Sequence, residues 1–483
     1  MLVWEPGHPQ EIVVLLLLLA VLAAERGRQL WVLAILGAIT ATLALTKINV
    51  GVFFGCGLML TLCSQSSLFH KRKTLFCILL VLGSLSPLVL MRPHLAESWA
   101  VVYSGNACAT LLASGAVAYA LGGGGRIGFA PTLQVGTAFA ALSTLVLAVV
   151  MATGSTVPSL LESLVTGPAK LGTAFCAPLI VPHSAWSGAA AVLAAVAIVA
   201  FRGRSKHLHF VFLAAKGAYG FLGTLWLAGN THSQLGYLWP WCWLLLLPTD
   251  GHRPMESRHA FARTFLCIES AFQGLQAYPV AGTQVGIATL LPVLLYSLCL
   301  YDAIIALACS GWAIRVRQIL TLRTALLLQA LVLTGLFYLL AGHWCKPLTT
   351  WRFYASLPPL GLRGATLLHL PKDKAEDYRD LTGYLKAECD AFITIPGMNS
   401  LYFWTDKSPP TYFIIAEVVL LSEAQQAEVV AALQKSRRSL IVLTKIRSPS
   451  VKGPLGQLIA TSTEIKTIGR FRILQPSFAP PKK

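Results

Sequence analysis

Charge is what this sequence has least of. Only 12% of its 483 residues are charged, about half the usual share for a soluble domain, and the surface of an ordinary soluble enzyme needs more. Acid is scarcer than base: Asp plus Glu number 20 against 38 Lys plus Arg, a formal net charge of +18. The 11 cysteines are scattered singly, many inside apolar runs (Cys56, Cys63, Cys77, Cys108, Cys299, Cys309). That pattern encodes neither a secreted disulfide scaffold nor a Cys/His metal set, so no metal ligands are assigned. No Gly-x-Ser-x-Gly nucleophile motif and no short-period repeat is present. The glycine run at 122–125 lacks the Lys-Ser/Thr of a phosphate loop and follows no strand. Met1–Gln10 has no basic n-region and no cleavage site follows, so it does not read as a signal peptide.

What the sequence has is apolar length. Hydrophobic residues make up 55% of it, which excludes a disordered chain. Residues 1–341 carry only Glu5, Glu11, Glu25, Glu97, Glu162, Asp250, Glu256, Glu269 and Asp302 as acids. Between them lie runs near 11–25, 30–46, 49–66, 74–91, 98–121, 133–153, 184–201, 209–228, 284–310 and 324–341. Most approach the roughly 20 residues a helix needs to cross the hydrocarbon layer. Backbone groups in lipid must be paired within the segment, so such runs become helices, and the ten-residue alternation of a membrane barrel is missing. The reading is an all-α polytopic bundle of about ten spans, with an eleventh if the Trp-rich stretch at 236–248 crosses. That stretch reads as a half-span or an interfacial segment.

The basic loops at 70–73, 202–206 and 315–323 are expected on the cytoplasmic side. This places the loops at 92–97, 154–183 and 229–283, the N-terminus and the C-terminal domain on the outer side. Positive charge that flanks spans suits anionic lipid headgroups, so membrane lipid is an expected partner and nucleic acid is not.

The composition changes after Ala341. Residues 342–483 hold 19 Lys plus Arg and 11 acids, more than half of all the acids in about a quarter of the chain. The division expected is 1–341 transmembrane and 342–483 extramembrane. A helix is predicted over Lys372–Lys386, with acids in its early turns. Strands are predicted at Ala391–Ile395, ended by Pro396-Gly397, at Ser439–Thr444 and at Arg470–Leu474. A second helix over Ser422–Gln434 has Ser422 as N-cap. Alternating helix and strand give a small α/β domain.

Four segments together resemble bacterial membrane glycosyltransferases of the GT-C class, which draw sugars from dolichyl or polyprenyl phosphate. They are Pro6-Gly7-His8-Pro9-Gln10-Glu11, Thr46-Lys47-Ile48-Asn49-Val50-Gly51, Ala277-Tyr278-Pro279-Val280-Ala281-Gly282-Thr283-Gln284 and the tail from Glu388 to Thr405 with its Ile395-Pro396-Gly397-Met398-Asn399-Ser400 core. The resemblance implies a multi-pass inner-membrane protein and a lipid-linked sugar donor. The acceptor would be a glycan, lipid or protein at the outer face. In that chemistry a carboxylate takes the acceptor proton, while basic groups or a divalent cation hold the departing phosphate. The family begins with one further span and an outer loop bearing an Asp/Glu motif, and this chain starts where the middle of that architecture would be. The alternatives are a catalytically inactive scaffold or regulatory relative, and a transporter or flippase.

Under the resemblance, Glu97 and Glu11 are the candidate catalytic carboxylates. His8 and Lys47 are candidate phosphate contacts, Lys47 as a point charge. Asn49, Tyr278 and Gln284 can bond sugar hydroxyls, and Asn399 and Trp404 can bond and stack on a sugar. Each has a plainer reading: helix entry for Glu11, interfacial snorkelling for Lys47, a solvated loop for Glu97, packing for Trp404. Asp302, an acid inside a predicted span, is expected to pair with a neighbouring helix.

Overall fold

A computed structural model describes residues 10–121, 128, 130–166, 181, 183–201, 208–226, 231–248, 257–277, 283–308, 348–411, 421–444 and 452–478. The chain divides into two compact units, Met1–His343 and Trp344–Lys483.

The first unit is helical. Its principal helices are α1 (Gln10–Ala24), α2 (Leu30–Thr46), α3 (Ile48–Gln65), α4 (Lys73–Leu90), α5 (Ser98–Leu121), α6 (Ala130–Ala152), α7 (Ser184–Ala200), α8 (Leu208–Trp226), α9 (Ser257–Gln273), α10 (Thr283–Ala288) and α11 (Leu290–Ala308). Nine of the ten predicted runs coincide with helices, and 324–341 lies outside the described residues. Five helices are long and apolar enough to cross a membrane: Ile48–Gln65, Lys73–Leu90, Ser98–Leu121, Ala130–Ala152 and Gln284–Leu307. The surface agrees with that. Helix α6 buries Val135 alone among its described residues and turns Leu133, Phe139, Leu145 and Val149 outward. A face of that kind is stable against lipid and sticky in water.

The structure corrects the sequence reading of 229–283. In its described residues, 231–248 and 257–277, that segment packs into the bundle instead of running as a loop. After Thr231–Ser233 the chain winds as a π-helical turn over Gln234–Leu238 and a 3-10 helix over Trp239–Leu246, both largely buried in the bundle core. Helix α9 follows, and every residue from Thr264 to Ala277 is buried. Its neighbours are α3, the 3-10 helix, α5, α11 and α1. Hydropathy penalises Arg263, Thr264, Glu269, Ser270 and Gln273 wherever they stand, so the sequence placed this helix in water. Helices in the middle of a bundle can carry polar groups when other protein surrounds them.

The second unit is a three-layer α/β sandwich. Strands β1 (Ala391–Ile395), β2 (Ser439–Thr444), β3 (Thr463–Ile468) and β4 (Phe471–Gln475) form one sheet in the order β1-β2-β4-β3. β1 and β2 are parallel, while β4 is antiparallel to both β2 and β3. Alternate residues serve opposite faces. Ile393, Ile395, Ile441, Leu443 and Leu474 pack under α14 (Glu423–Lys435) and α15 (Pro454–Thr461). Phe392, Leu440, Val442, Phe471 and Ile473 pack under α12 (Lys372–Glu388) and α13 (Ser400–Thr405). Strand β3 and helices α13 and α15 are additions to the predicted set. β3 escaped because five of its six residues are exposed and it therefore shows no apolar alternation.

Candidate functional site

Two groups of buried polar side chains line α9. The first joins three helices. Asp302 of α11 accepts a hydrogen bond from Lys216 Nζ of α8 at 2.7 Å, and from both terminal nitrogens of Arg263 of α9, with Nη2 at 2.7 Å from Oδ1. Lys216 is fully buried and Asp302 nearly so. The expected pairing of Asp302 with a neighbouring helix is what the structure contains, with two partners rather than one. Glu25, at the end of α1, lies 3.9 Å from His259 on the first turn of α9. The triad therefore sits toward the end of the bundle that carries Arg26 and Arg28.

The second group lies at the other end of α9. Glu269, Gln273 and Gln276 are fully buried. Both carboxyl oxygens of Glu269, Oε1 of Gln273 and both polar atoms of the Gln276 amide have no hydrogen-bond partner. Gln273 Nε2 donates to the carbonyl of Val50 at 3.4 Å, which fixes the amide with its nitrogen toward α3. Glu269 faces Gly57 of α3: a Cβ there would stand 2.7 Å from Oε1, so only glycine leaves room for the carboxyl. On its other side, α9 meets aromatics. Trp239 Nε1 donates to the Ser270 carbonyl at 3.1 Å and the Tyr103 hydroxyl to the Gly274 carbonyl at 3.1 Å, while the Tyr103 and Trp239 rings stack at 6.0 Å. Any side chain at Gly274 would overlap the Trp239 indole. The chain then continues as the 3-10 turn Gly274–Ala277, which packs against α3 and α10.

The sequence-predicted residues fall unevenly around this group. Lys47 forms the break between α2 and α3, half-buried with extended backbone (φ −153°, ψ 97°). Asn49 is half-buried in the first turn of α3, where its Oδ1 accepts from the Val50 N–H at 3.1 Å. Both are next to the carbonyl that receives Gln273. Gln284 is on α10, its Oε1 buried and without a partner. Glu11 is in the first turn of α1 with a buried, unpartnered Oε1. His8 and Tyr278 lie outside the described residues.

Glu97 sits in the exposed turn between α4 and α5. Its Oε2 accepts from the Trp99 indole at 2.6 Å and its Oε1 lies 3.3 Å from His94 Nδ1. The indole hydrogen bond, then His94, hold its carboxyl below the usual glutamate range. That makes it a weaker proton acceptor than a general base tuned for neutral pH.

In the second unit Asn399 is exposed at the start of α13. The Trp404 ring meets Tyr378 edge to face at 5.8 Å and joins two apolar clusters. That contact is packing, and Trp404 is half-buried. Among the described residues no three His, Cys, Asp or Glu side chains form a metal-ligating group.

Sequence reasoning did not pick out Lys216, Arg263, Glu269, Gln273 or Gln276. One signal was available: Lys216 is the only Lys or Arg inside the run 209–228. A second was the i, i+4 spacing of Glu269 and Gln273, which puts both on one helix face. No family model, curated protein or solved structure matches this chain.

Proposed function

We propose that the first unit binds a polyprenyl-phosphate-linked sugar and works as, or within, a membrane glycosyltransferase of the GT-C kind. The observation that supports the reading is a convergence. One segment that carries the resemblance, 46–51, and the described ends of another, Ala277 and Thr283–Gln284, lie around the end of α9. The Gln273 amide is bonded to Val50 of the first, and the 3-10 turn Gly274–Ala277 leads into the second. In this reading Lys47 holds the lipid-linked phosphate as a point charge. Asn49, Gln276 and Gln284 offer amide groups of the kind that bond sugar hydroxyls. Glu11 and Glu97 begin α1 and α5. Counting helices back and forth across the bundle brings both to the same end as Lys47, so either can meet an acceptor there.

The test is binding. The full chain in lipid nanodiscs is titrated with radiolabelled polyprenyl-phosphate mannose. Saturable binding that Lys47→Ala weakens by about tenfold, the size of one lost charge-assisted hydrogen bond, sustains the reading. Failure to bind either the sugar-loaded or the bare polyprenyl phosphate ends it. A transport reading has one feature in its favour, the irregular buried segment Gln234–Leu246, since transporters interrupt helices at membrane depth. Substrate-dependent flux into proteoliposomes would replace the transferase reading.

A further inference from the structure

Among the described residues, the carboxyl of Glu269 has no counter-charge beside it. The elements packed against α9 are α1, α3, the 3-10 helix Trp239–Leu246, α5, the turn Gly274–Ala277, α10 and α11. None of them carries a Lys or Arg. Their ionisable side chains are Glu11, Cys56 and Cys63, Tyr103, Cys108 and Tyr119, Cys242, and then Tyr296, Cys299, Tyr301 and Asp302. Of these, Cys56 interacts with Glu269 and brings no positive charge. On α9 itself the nearest basic side chain is Arg263, six residues back, and it is bound to Asp302. An ionised carboxylate in such a place is strongly disfavoured.

Gln273 lies one turn further along the same face, and its side chain approaches the carboxyl. One Nε2 hydrogen goes to the Val50 carbonyl, which leaves a second amide hydrogen and the unpartnered acceptor Oε1. Turning the amide over would set an oxygen against the Val50 carbonyl. The amide can thus donate to an ionised carboxyl or accept from a protonated one; full burial with no counter-charge among the described residues favours the protonated form, whose hydrogen Oε1 can take. A metal cation needs several oxygen ligands, and Gly57 packs directly against the carboxyl.

We propose that Glu269 is a proton-binding site in the interior of the bundle: its carboxyl carries a proton and donates it to Gln273 Oε1, which is in turn anchored to Val50 of α3. The ligand is the proton itself. Loading it completes the chain Glu269–Gln273–Val50 that ties α9 to α3, and removing it leaves a buried negative charge with no opposite charge beside it among the described residues. The site stands whether or not the protein transfers sugars.

The experiment is infrared difference spectroscopy of the full chain in lipid at neutral pH. The expected result is a free-acid carbonyl band, shifted by exchange into deuterated water and missing from Glu269→Gln. The second measurement uses dicyclohexylcarbodiimide on the wild type. The acid oxygen adds to the central carbon of the reagent and the acid proton goes to one nitrogen. An O-to-N acyl shift then fixes the product as an N-acylurea, with no leaving group. Mass spectrometry should find the intact reagent on the Glu269 peptide, at a rate that falls about tenfold per pH unit once the acid titrates. Gln273→Leu, which removes the acceptor for the acid hydrogen, should move that profile to lower pH. Because the amide is a close isostere of the neutral acid, Glu269→Gln should melt within a few degrees of the wild type. Absence of the acid band, or a Glu269→Gln chain that does not fold, overturns the proposal.

Discussion

The most informative single residue is Asp302, because the three groups of its triad are not equivalent. Deleting Lys216 leaves Arg263 and Asp302, a bidentate pair that is neutral as a unit. Deleting the carboxylate leaves two cations facing each other in a buried space, and breaking a buried pair in this way costs about 3–5 kcal/mol. Asp302→Asn should therefore lower the melting temperature in detergent far more than Lys216→Met. Equal losses would mean that Lys216, not Arg263, is the principal partner. A second residue-scale prediction concerns the other unit. Arg438 Nη2 is 3.0 Å from Asp390 Oδ1 and holds that carboxyl below its ordinary value of 3.8. The folded value is depressed, so the contribution is complete above the unfolded value and is lost as pH falls through the folded one. Both side chains are exposed, so the effect is small. Asp390→Asn should therefore lower stability slightly at neutral pH, with the difference from wild type shrinking below about pH 4 and vanishing once the wild-type carboxyl is protonated; no loss at neutral pH, or a loss that persists in acid, would refute it.

At the scale of elements, α14 shows how completely a local signal can specify structure. Ser422 Oγ accepts from the Gln425 N–H at 3.3 Å, and Gln425 Oε1 accepts from the Ser422 N–H at 2.9 Å. The box closes both ends of the first turn. Ser422→Ala should destabilise the helix by about 1 kcal/mol, read as faster amide exchange at Gln425 relative to β2. The predicted N-cap Ser422 is the observed one, and the strands at 391–395 and 439–444 have the predicted bounds. Those elements were legible because capping and apolar runs are local properties. Helix α9 was not. Its polar residues are satisfied or enclosed by partners as far away in sequence as Val50, Gly57 and Asp302, and no window of the sequence contains those partners. The candidate site was half legible for the same reason: Lys47, Asn49 and Gln284 stood out at span edges, whereas Glu269 looked like one more acid in a water-exposed loop.

At the scale of the whole membrane unit, the burial of 231–248 and 257–277 bears on sidedness. Gly236 is bonded through its carbonyl to Asn106, and Cys242 lies 3.1 Å from Ser114 Oγ, so this segment follows α5 in the same direction along the bundle. Helix α9 runs back, from His259 beside Glu25 to Gln273 beside Val50. One segment going in and one coming out change no parity, so α10 and α11 begin on the same side as they would had 229–283 been a loop. The basic residues between α3 and α4 then share a side with Arg26 and Arg28, as the bias of basic loops toward the cytoplasm requires. This can be measured with a membrane-impermeant maleimide on sealed, right-side-out vesicles. A cysteine introduced at Lys73 should stay unlabelled until the vesicles are opened, and one introduced at Glu97 should label at once. If both label from the same side, α4 does not cross and the helix count from α1 to α5 is wrong. If Glu97 is protected and Lys73 labelled, the whole bundle is inverted, and the end of α9 that carries Glu269, Gln273 and Gln276 faces the cytoplasm, where a lipid-linked donor would have to be met instead.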